Sequence, residues 1–237
     1  MPSFPRISRP GGLFELAQLA GLEALRRYFR LDTIGGERLP RTGPALVVAN
    51  HSGVSGLDAL LLRHEIGRIT GRDARILANR AWFSAPAVQS ELPEGLGLVA
   101  ARLPRAVSVL REGRVLIVFP EAERGNFKPS DEAYHLRSFR PAFVRMAAEA
   151  GAPIIPVAVR GAEETHINLA SLDLPRGLSL RMLPLPLNLL PLPSKWRIDI
   201  LEPTPAPALD QVRDRGAAEA EAERMRAVVQ EALDADR

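Results

Sequence analysis

The sequence contains no cysteine. That absence removes disulfide staples, thiol catalysis and cysteine-ligated metals. Histidine is scarce: His51, His64, His135 and His166 are the four in 237 residues. No two of them flank carboxylates at a ligand spacing such as HExxH, so no metal is expected. Lysine occurs only as Lys128 and Lys195, and aromatic residues make up 5% of the chain. Sparse aromatics and the lack of a dense basic run argue against base-stacking platforms, so nucleic acid is not an expected partner. No run of about 20 uncharged apolar residues occurs, which excludes a helix that crosses a bilayer. The N-terminus lacks the apolar core of a secretory signal, because Arg26, Arg27 and Arg30 follow too closely. The expected location is therefore cytoplasmic, without a transmembrane helix.

What is present suffices for a large core. Apolar residues are 46% of the chain, and the length suits one domain over 1–237. The formal charge is +3 but the sequence pI is about 9.9, with arginine supplying nearly all the cations. Two readings of the arginine are open: a compositional bias, or contact with phosphates, which guanidinium binds bidentately.

Residues 1–11 read as a loose start. The spacing of Leu16, Leu19, Leu22, Leu25 and Tyr28 predicts a helix over 12–30 with arginines at its C-terminal end. This N-terminal amphipathic region (1–30) either packs on the domain or lies in a membrane interface. Between 31 and 203 a strand–helix rhythm follows. Strands are predicted at 45–49, 74–78, 96–101, 114–119, 154–159 and 196–201. Helices are predicted at 58–68, 105–112 and 139–150, with a short one at 82–90 carrying Trp82 and Phe83. Asp58 suits the N-terminus of its helix. Residues 121–137 read as a polar loop. The alternation predicts an α/β fold, a mostly parallel sheet flanked by helices. Residues 172–194 carry Pro175, Pro184, Pro186, Pro191 and Pro193, a density that forbids a regular helix. This leucine-rich segment either packs on the core, lines a lipid groove or touches a membrane. Residues 204–237 end in a charged helix over 210–235 that reads as solvated.

Two segments carry candidate chemistry. Asn50-His51-Ser52 follows a buried strand, and Asp58 opens the next helix. Ligands bind at the carboxyl ends of strands in open α/β sheets. A carboxylate on one ring nitrogen of His51 would fix the tautomer and leave the other nitrogen as a base. The plainer alternative is a histidine bonded to loop backbone and an aspartate that caps a helix. The second segment, Phe119-Pro120-Glu121-Ala122-Glu123-Arg124-Gly125, also leaves a strong buried strand. Glu121 suits a polyol and Arg124 a phosphate. Its plainer alternative is a soluble turn.

Together, Asn50-His51-Ser52 with Asp58, then Phe-Pro-Glu-x-x-Arg-Gly at 119–125, resemble the glycerolipid acyltransferase superfamily. The likeness runs from about Tyr28 to about Pro203 and includes Pro-Ile-Ile-Pro-Val-Ala-Val at 153–159. The resemblance implies that His51 deprotonates an acceptor hydroxyl, that Asp58 holds His51, and that Glu121 and Arg124 position the acceptor. Asn50, Ser52 and Gly125 belong to the same matched motifs and are expected at the substrate site. The implied donor is acyl-CoA or acyl-carrier protein, used as substrate, with no cofactor. The implied acceptor is a glycerolipid, taken up at the inner face of a membrane by a peripheral protein.

The match departs from the family pattern in three places. Six residues separate His51 from Asp58, where four are usual, which resembles the diacylglycerol-acylating and phospholipid-remodelling members. Ala122 stands where glycine usually follows the glutamate. Gly97 to Arg102 matches the middle block loosely, which favours a phosphate-free acceptor. Two other functions compete. A lipid hydrolase would use Ser52 or Ser55 as nucleophile, though no G-x-S-x-G elbow occurs. A catalytically silent lipid-binding module would keep the cleft alone.

Overall fold

The computed structural model describes residues 12–52, 54–79, 83, 92–175 and 182–235. The predicted loose start at 1–11 lies outside these residues, as does most of the predicted helix at 82–90. Nine strands occur among them. In chain order they are β1 (Asp32–Ile34), β2 (Ala45–Ala49), β3 (Ala74–Ala78), β4 (Leu98–Ala100), β5 (Val115–Val118), β6 (Ile154–Arg160), β7 (Asn168–Asp173), β8 (Met182–Pro186) and β9 (Arg197–Ile200). The helices are α1 (Leu13–Tyr28), α2 (Leu57–Thr70), α3 (Leu92–Gly95), α4 (Leu103–Arg111), α5 (Glu123–Asn126), α6 (Ala142–Ala150) and α7 (Arg215–Asp234).

Strands β2, β5 and β6 are continuous apolar runs, the pattern of strands covered on both faces. They form the middle of a seven-stranded sheet in the order β1-β9-β6-β2-β5-β3-β4. Every neighbouring pair is parallel except β6 with β9. The predicted mostly parallel α/β sheet is therefore what the chain builds. Alternation of side chains across the sheet splits the core in two. Val47, Ile117, Ile155 and Val157 join α1 and α2 on one face. Leu46, Leu116, Ile154 and Ala158 join α4, α6 and α7 on the other.

Three expectations change. The C-terminal helix is not merely solvated: α7 buries Ala218, Ala222, Met225, Val229 and Leu233 against the sheet. Small alanines supply half of that stripe, so its apolar character is weak in the sequence. Residues 121–137 hold the short helix α5 and a 3-10 turn at Ser130–Glu132. The leucine- and proline-rich stretch contributes β8, which pairs antiparallel with β7 in a separate two-stranded hairpin. Proline is tolerated on such an edge because a free edge needs no N–H donor. Core packing is not its role: Leu169, Leu187, Leu189 and Leu190 are all exposed.

Candidate active site

The parallel register of β2 with β5 sets Val48 beside Val118. The loops that leave these strands must then start side by side. His51 lies two residues beyond β2 and Glu121 three beyond β5. Both candidate segments thus meet at one edge of the sheet.

The loop after β2 returns Asp58 to His51. His51 Nδ1 stands 2.7 Å from Asp58 Oδ2. The same oxygen accepts the backbone N–H of Ser52 at 2.9 Å, and Oδ1 accepts that of Ala59 at 2.8 Å. Asp58 is fully buried in the first turn of α2, where the helix end favours negative charge. It is not the cap: Gly56 occupies that position, at φ 71. A buried carboxylate that only accepts makes Nδ1 the donor, which leaves Nε2 as the basic nitrogen. The His51 ring stacks on Phe119, with centroids 4.3 Å apart and 28° between planes. Phe119 belongs to the second motif but was not among the expected site residues. Its position immediately before Pro120-Glu121 is the signal that identifies it.

Glu121 is buried, and both its oxygens are taken by backbone. Oε1 accepts from His51 N at 3.1 Å and Oε2 from Arg137 N at 2.7 Å. Burial pushes its carboxyl above the ordinary range, opposed by the nearby Lys128 ammonium and the two N–H donors. The expectation of a polyol ligand gives way to a mooring for the His51 loop. Gly125 is fitted to that mooring. A Cβ there would come within 2.5 Å of Glu121 Cβ and 2.7 Å of its Cδ. Ala122 between them takes φ 54 and ψ −143, a backbone region that suits glycine. Arg124 is exposed on α5 and has no ion pair among the described residues.

Asn50 is also structural. Its Nδ2 donates to Val159 O at 2.9 Å, and its Oδ1 accepts from Val159 N at 2.7 Å. The side-chain amide extends the β2–β6 ladder by one rung and has no open edge for substrate. Ser52 is buried and its Oγ reaches no protein partner, His51 included. Of the seven expected site residues, His51, Asp58 and Arg124 have the exposure or pairing their expected roles need. Asn50, Ser52, Glu121 and Gly125 build the frame. Among the described residues no group of three His, Asp or Glu is placed to hold a metal ion.

Comparisons with known proteins agree with this geometry. The family model described as Acyltransferase matches residues 30–160. An uncharacterised protein of Mycobacterium tuberculosis is 36% identical over 190 residues, covering 75% of this chain and 53% of that protein. A human protein named DGAT1/2-independent enzyme synthesizing storage lipids is 30% identical over 145 residues, covering 61% and 44%. The chain thus spans about half the length of the curated relatives it matches. Among solved structures, the 1-acyl-sn-glycerophosphate (LPA) acyltransferase PlsC of Thermotoga maritima superposes with a TM-score of 0.57. It is 20% identical, with 93% of this chain and 81% of that one covered, a likeness of fold.

Proposed function

Because this chain belongs to the acyltransferase family, we propose that it moves a fatty acyl group from a thioester onto a glycerolipid hydroxyl. The thioester is acyl-CoA or acyl-carrier protein, and His51 is the general base. The observation that carries this reading is the 2.7 Å contact from His51 Nδ1 to buried Asp58, which leaves Nε2 to take a proton. The acceptor hydroxyl gives its proton to Nε2 as its oxygen attacks the thioester carbonyl. Asp58 stabilises the resulting imidazolium. Collapse of the tetrahedral adduct breaks the carbon–sulfur bond, and the thiolate recovers the proton from His51. No protein nucleophile, metal or cofactor is needed in this sequence of steps.

Glu121, Gly125, Asn50 and Ser52 act by fixing the two loops, and proximity supplies much of the rate once they are fixed. Arg124 is available to an anionic part of donor or acceptor. The loose block at 97–102 favours a mono- or diacylglycerol over a phosphorylated acceptor, with a lysophospholipid between them. The human relative's name, with its storage lipids, supports the same choice.

The partner surface in this reading is the inner face of a membrane, bound peripherally. Support comes from the β7–β8 hairpin. Asn168 ties it to the α5 loop, donating to Phe127 O at 2.8 Å and Lys128 O at 3.0 Å. Leu169, Leu183, Leu185 and Leu187 face solvent from it. A soluble hairpin normally turns polar residues outward. Exposed Arg30 and Lys195 flank the bond from Trp196 N to Phe29 O, beside the leucine segment, and suit anionic head groups.

Purified protein assayed with a panel of thioester donors and glycerolipid acceptors tests the reading. Wild type is expected to transfer acyl groups, and His51→Ala to lose about 100-fold or more of kcat. Release of free fatty acid alone would make the protein a hydrolase. Unchanged activity in His51→Ala, or none in wild type with any pair, would overturn the reading.

A further inference from the structure

Four buried polar atoms with no hydrogen-bond partner border one small cavity. They are Ser52 Oγ, Asn126 Oδ1, Glu163 Oε1 and His166 Nε2. The cavity measures about 10 Å³. That is room for a single water molecule, which requires two to four polar partners. Leaving four such atoms unpaired would be costly, and their convergence on one point is not what scattered packing faults produce.

The chemistry of the lining selects the occupant. His166 Nδ1 lies 3.1 Å from the carbonyl of Asn188, which makes Nδ1 the donor and Nε2 a lone pair. Asn126 Oδ1 and the Glu163 carboxylate also accept. Ser52 brings a hydroxyl. Lys128 lies at the rim, buried, 2.9 Å from Glu163 Oε1 in an ion pair whose angle leaves that oxygen without an aligned donor. The ammonium already supplies the positive charge, so a metal cation would be repelled. Three acceptors repel an anion. A neutral group that donates twice and accepts from a hydroxyl satisfies the set.

We propose that one water molecule is a fixed internal part of this protein, held by Ser52, Asn126, Glu163 and His166, and that it ties the His51 loop to the turn after β6. Ser52 is the link: its N–H is bound to Asp58 Oδ2 at 2.9 Å, the oxygen that also holds His51. The water therefore joins Asp58, through Ser52, to α5 and to the Glu163–His166 turn. Asn126, Glu163 and His166 become positioning residues, remote from the reacting atoms. The consequence for rate rests on the acyl-transfer reading; the water itself does not.

A crystal structure that resolves individual waters decides the first part. The expected result is one spherical peak within about 3.2 Å of at least three of the four atoms. Closure of the cavity by direct pairing of these side chains, or density of a larger or charged ligand, would overturn it. Asn126→Leu, near in shape but without the acceptor, decides the second part. It is expected to lose the peak, keep its fold by circular dichroism, and lower kcat about ten- to a hundredfold with both KM values unchanged. Loss of the peak with kcat unchanged would end the positioning role. If Asn126→Leu does not fold, Ser52→Ala serves with the same readings. Absence of activity in wild type would sink acyl transfer while leaving the density test intact.

Discussion

Glu121 Oε1 accepts the backbone N–H of His51 at 3.1 Å, so the carboxylate of one motif holds the main chain of the other. The two motifs are one mechanical unit, closed by Oε2 on Arg137 N. An amide cannot replace this carboxylate, because it offers one acceptor and turns an NH₂ toward the second N–H. Glu121→Gln is expected to lose about 1–3 kcal/mol of stability, the cost of an unsatisfied buried donor. Its kcat falls as well, because the base is displaced. Denaturant unfolding and steady-state kinetics on the same preparation check both. Retained stability with retained activity would return Glu121 to a minor role.

The same carboxylate sets a sign for pH. Burial raises Glu121 and Glu163 above the ordinary 4.5 in the folded state. Above pH 4.5 the unfolded chain has released these protons while the folded chain keeps them. Stability therefore falls as pH rises from 4.5 through the raised values. Glu23 is opposite: the Arg26 hydrogen bond leads the causes that hold it at about 2. Its contribution is present above 4.5 and disappears as pH drops toward 2. Carbon-detected NMR titration should find Glu121 and Glu163 at the top of the glutamate range and Glu23 at the bottom. Thermal melts of Glu121→Gln should decline less steeply above pH 4.5 than wild type. Titration of Glu121 below 4.5 would refute the assignment.

Asp58 accepts three hydrogen bonds, two on Oδ2 and one on Oδ1. Asp58→Asn preserves shape but must set an NH₂ against one donor. The relief is a flipped His51 tautomer, which puts the proton on Nε2 and blocks the base. The expected outcome is a fall in kcat of about 10²–10⁴, with donor and acceptor KM little changed. ¹⁵N chemical shifts of the His51 ring should report the change of tautomer. An active variant with an unchanged tautomer would mean that Asp58 is only a helix residue.

The legible part of this site is the part written as local pattern. A buried run followed by Asn-His-Ser, with an aspartate at the next helix start, announces His51 and Asp58. Parallel β2 and β5 bring the second motif alongside. What the sequence conceals is how each polar group is spent. Asn50 and Glu121 look like ligands, and each spends both polar atoms of its head group on backbone brought from elsewhere in the fold. Such long-range partners have no local signature. The α7 stripe hides for another reason, since alanine marks a buried face weakly. The β7–β8 hairpin hides because its prolines mask a strand, and β1 because three residues carry no period.

Ala122 and Gly125 stand three apart in one loop and predict opposite responses. At φ 54 the Ala122 methyl is strained. Ala122→Gly should gain about 1 kcal/mol, strain relief less the added chain entropy of glycine. Gly125→Ala drives a methyl to 2.5 Å from Glu121 Cβ. It should lose about 1–3 kcal/mol by overpacking, and activity with it because the mooring of His51 shifts. Paired thermal melts decide. Equal effects of one sign would show that the loop is adaptable and that neither backbone feature matters.

The leucine segment after β8 separates stability from surface binding. Leu189 and Leu190 are 86% and 82% exposed. Replacing both with serine removes almost no burial, so unfolding should change by less than about 0.5 kcal/mol. If these side chains enter a bilayer, each contributes up to about 1.5–3 kcal/mol on full burial. The double variant should then bind anionic vesicles at least about tenfold more weakly, since 1.4 kcal/mol is already tenfold. Transfer to a dispersed short-chain acceptor should be unaffected, because the His51 loop is untouched. Sedimentation with vesicles of neutral and anionic composition, beside the soluble-acceptor assay, reads both. Vesicle binding equal to wild type would assign the leucines elsewhere, and a parallel loss in the soluble assay would make them part of the acyl path instead of the docking face.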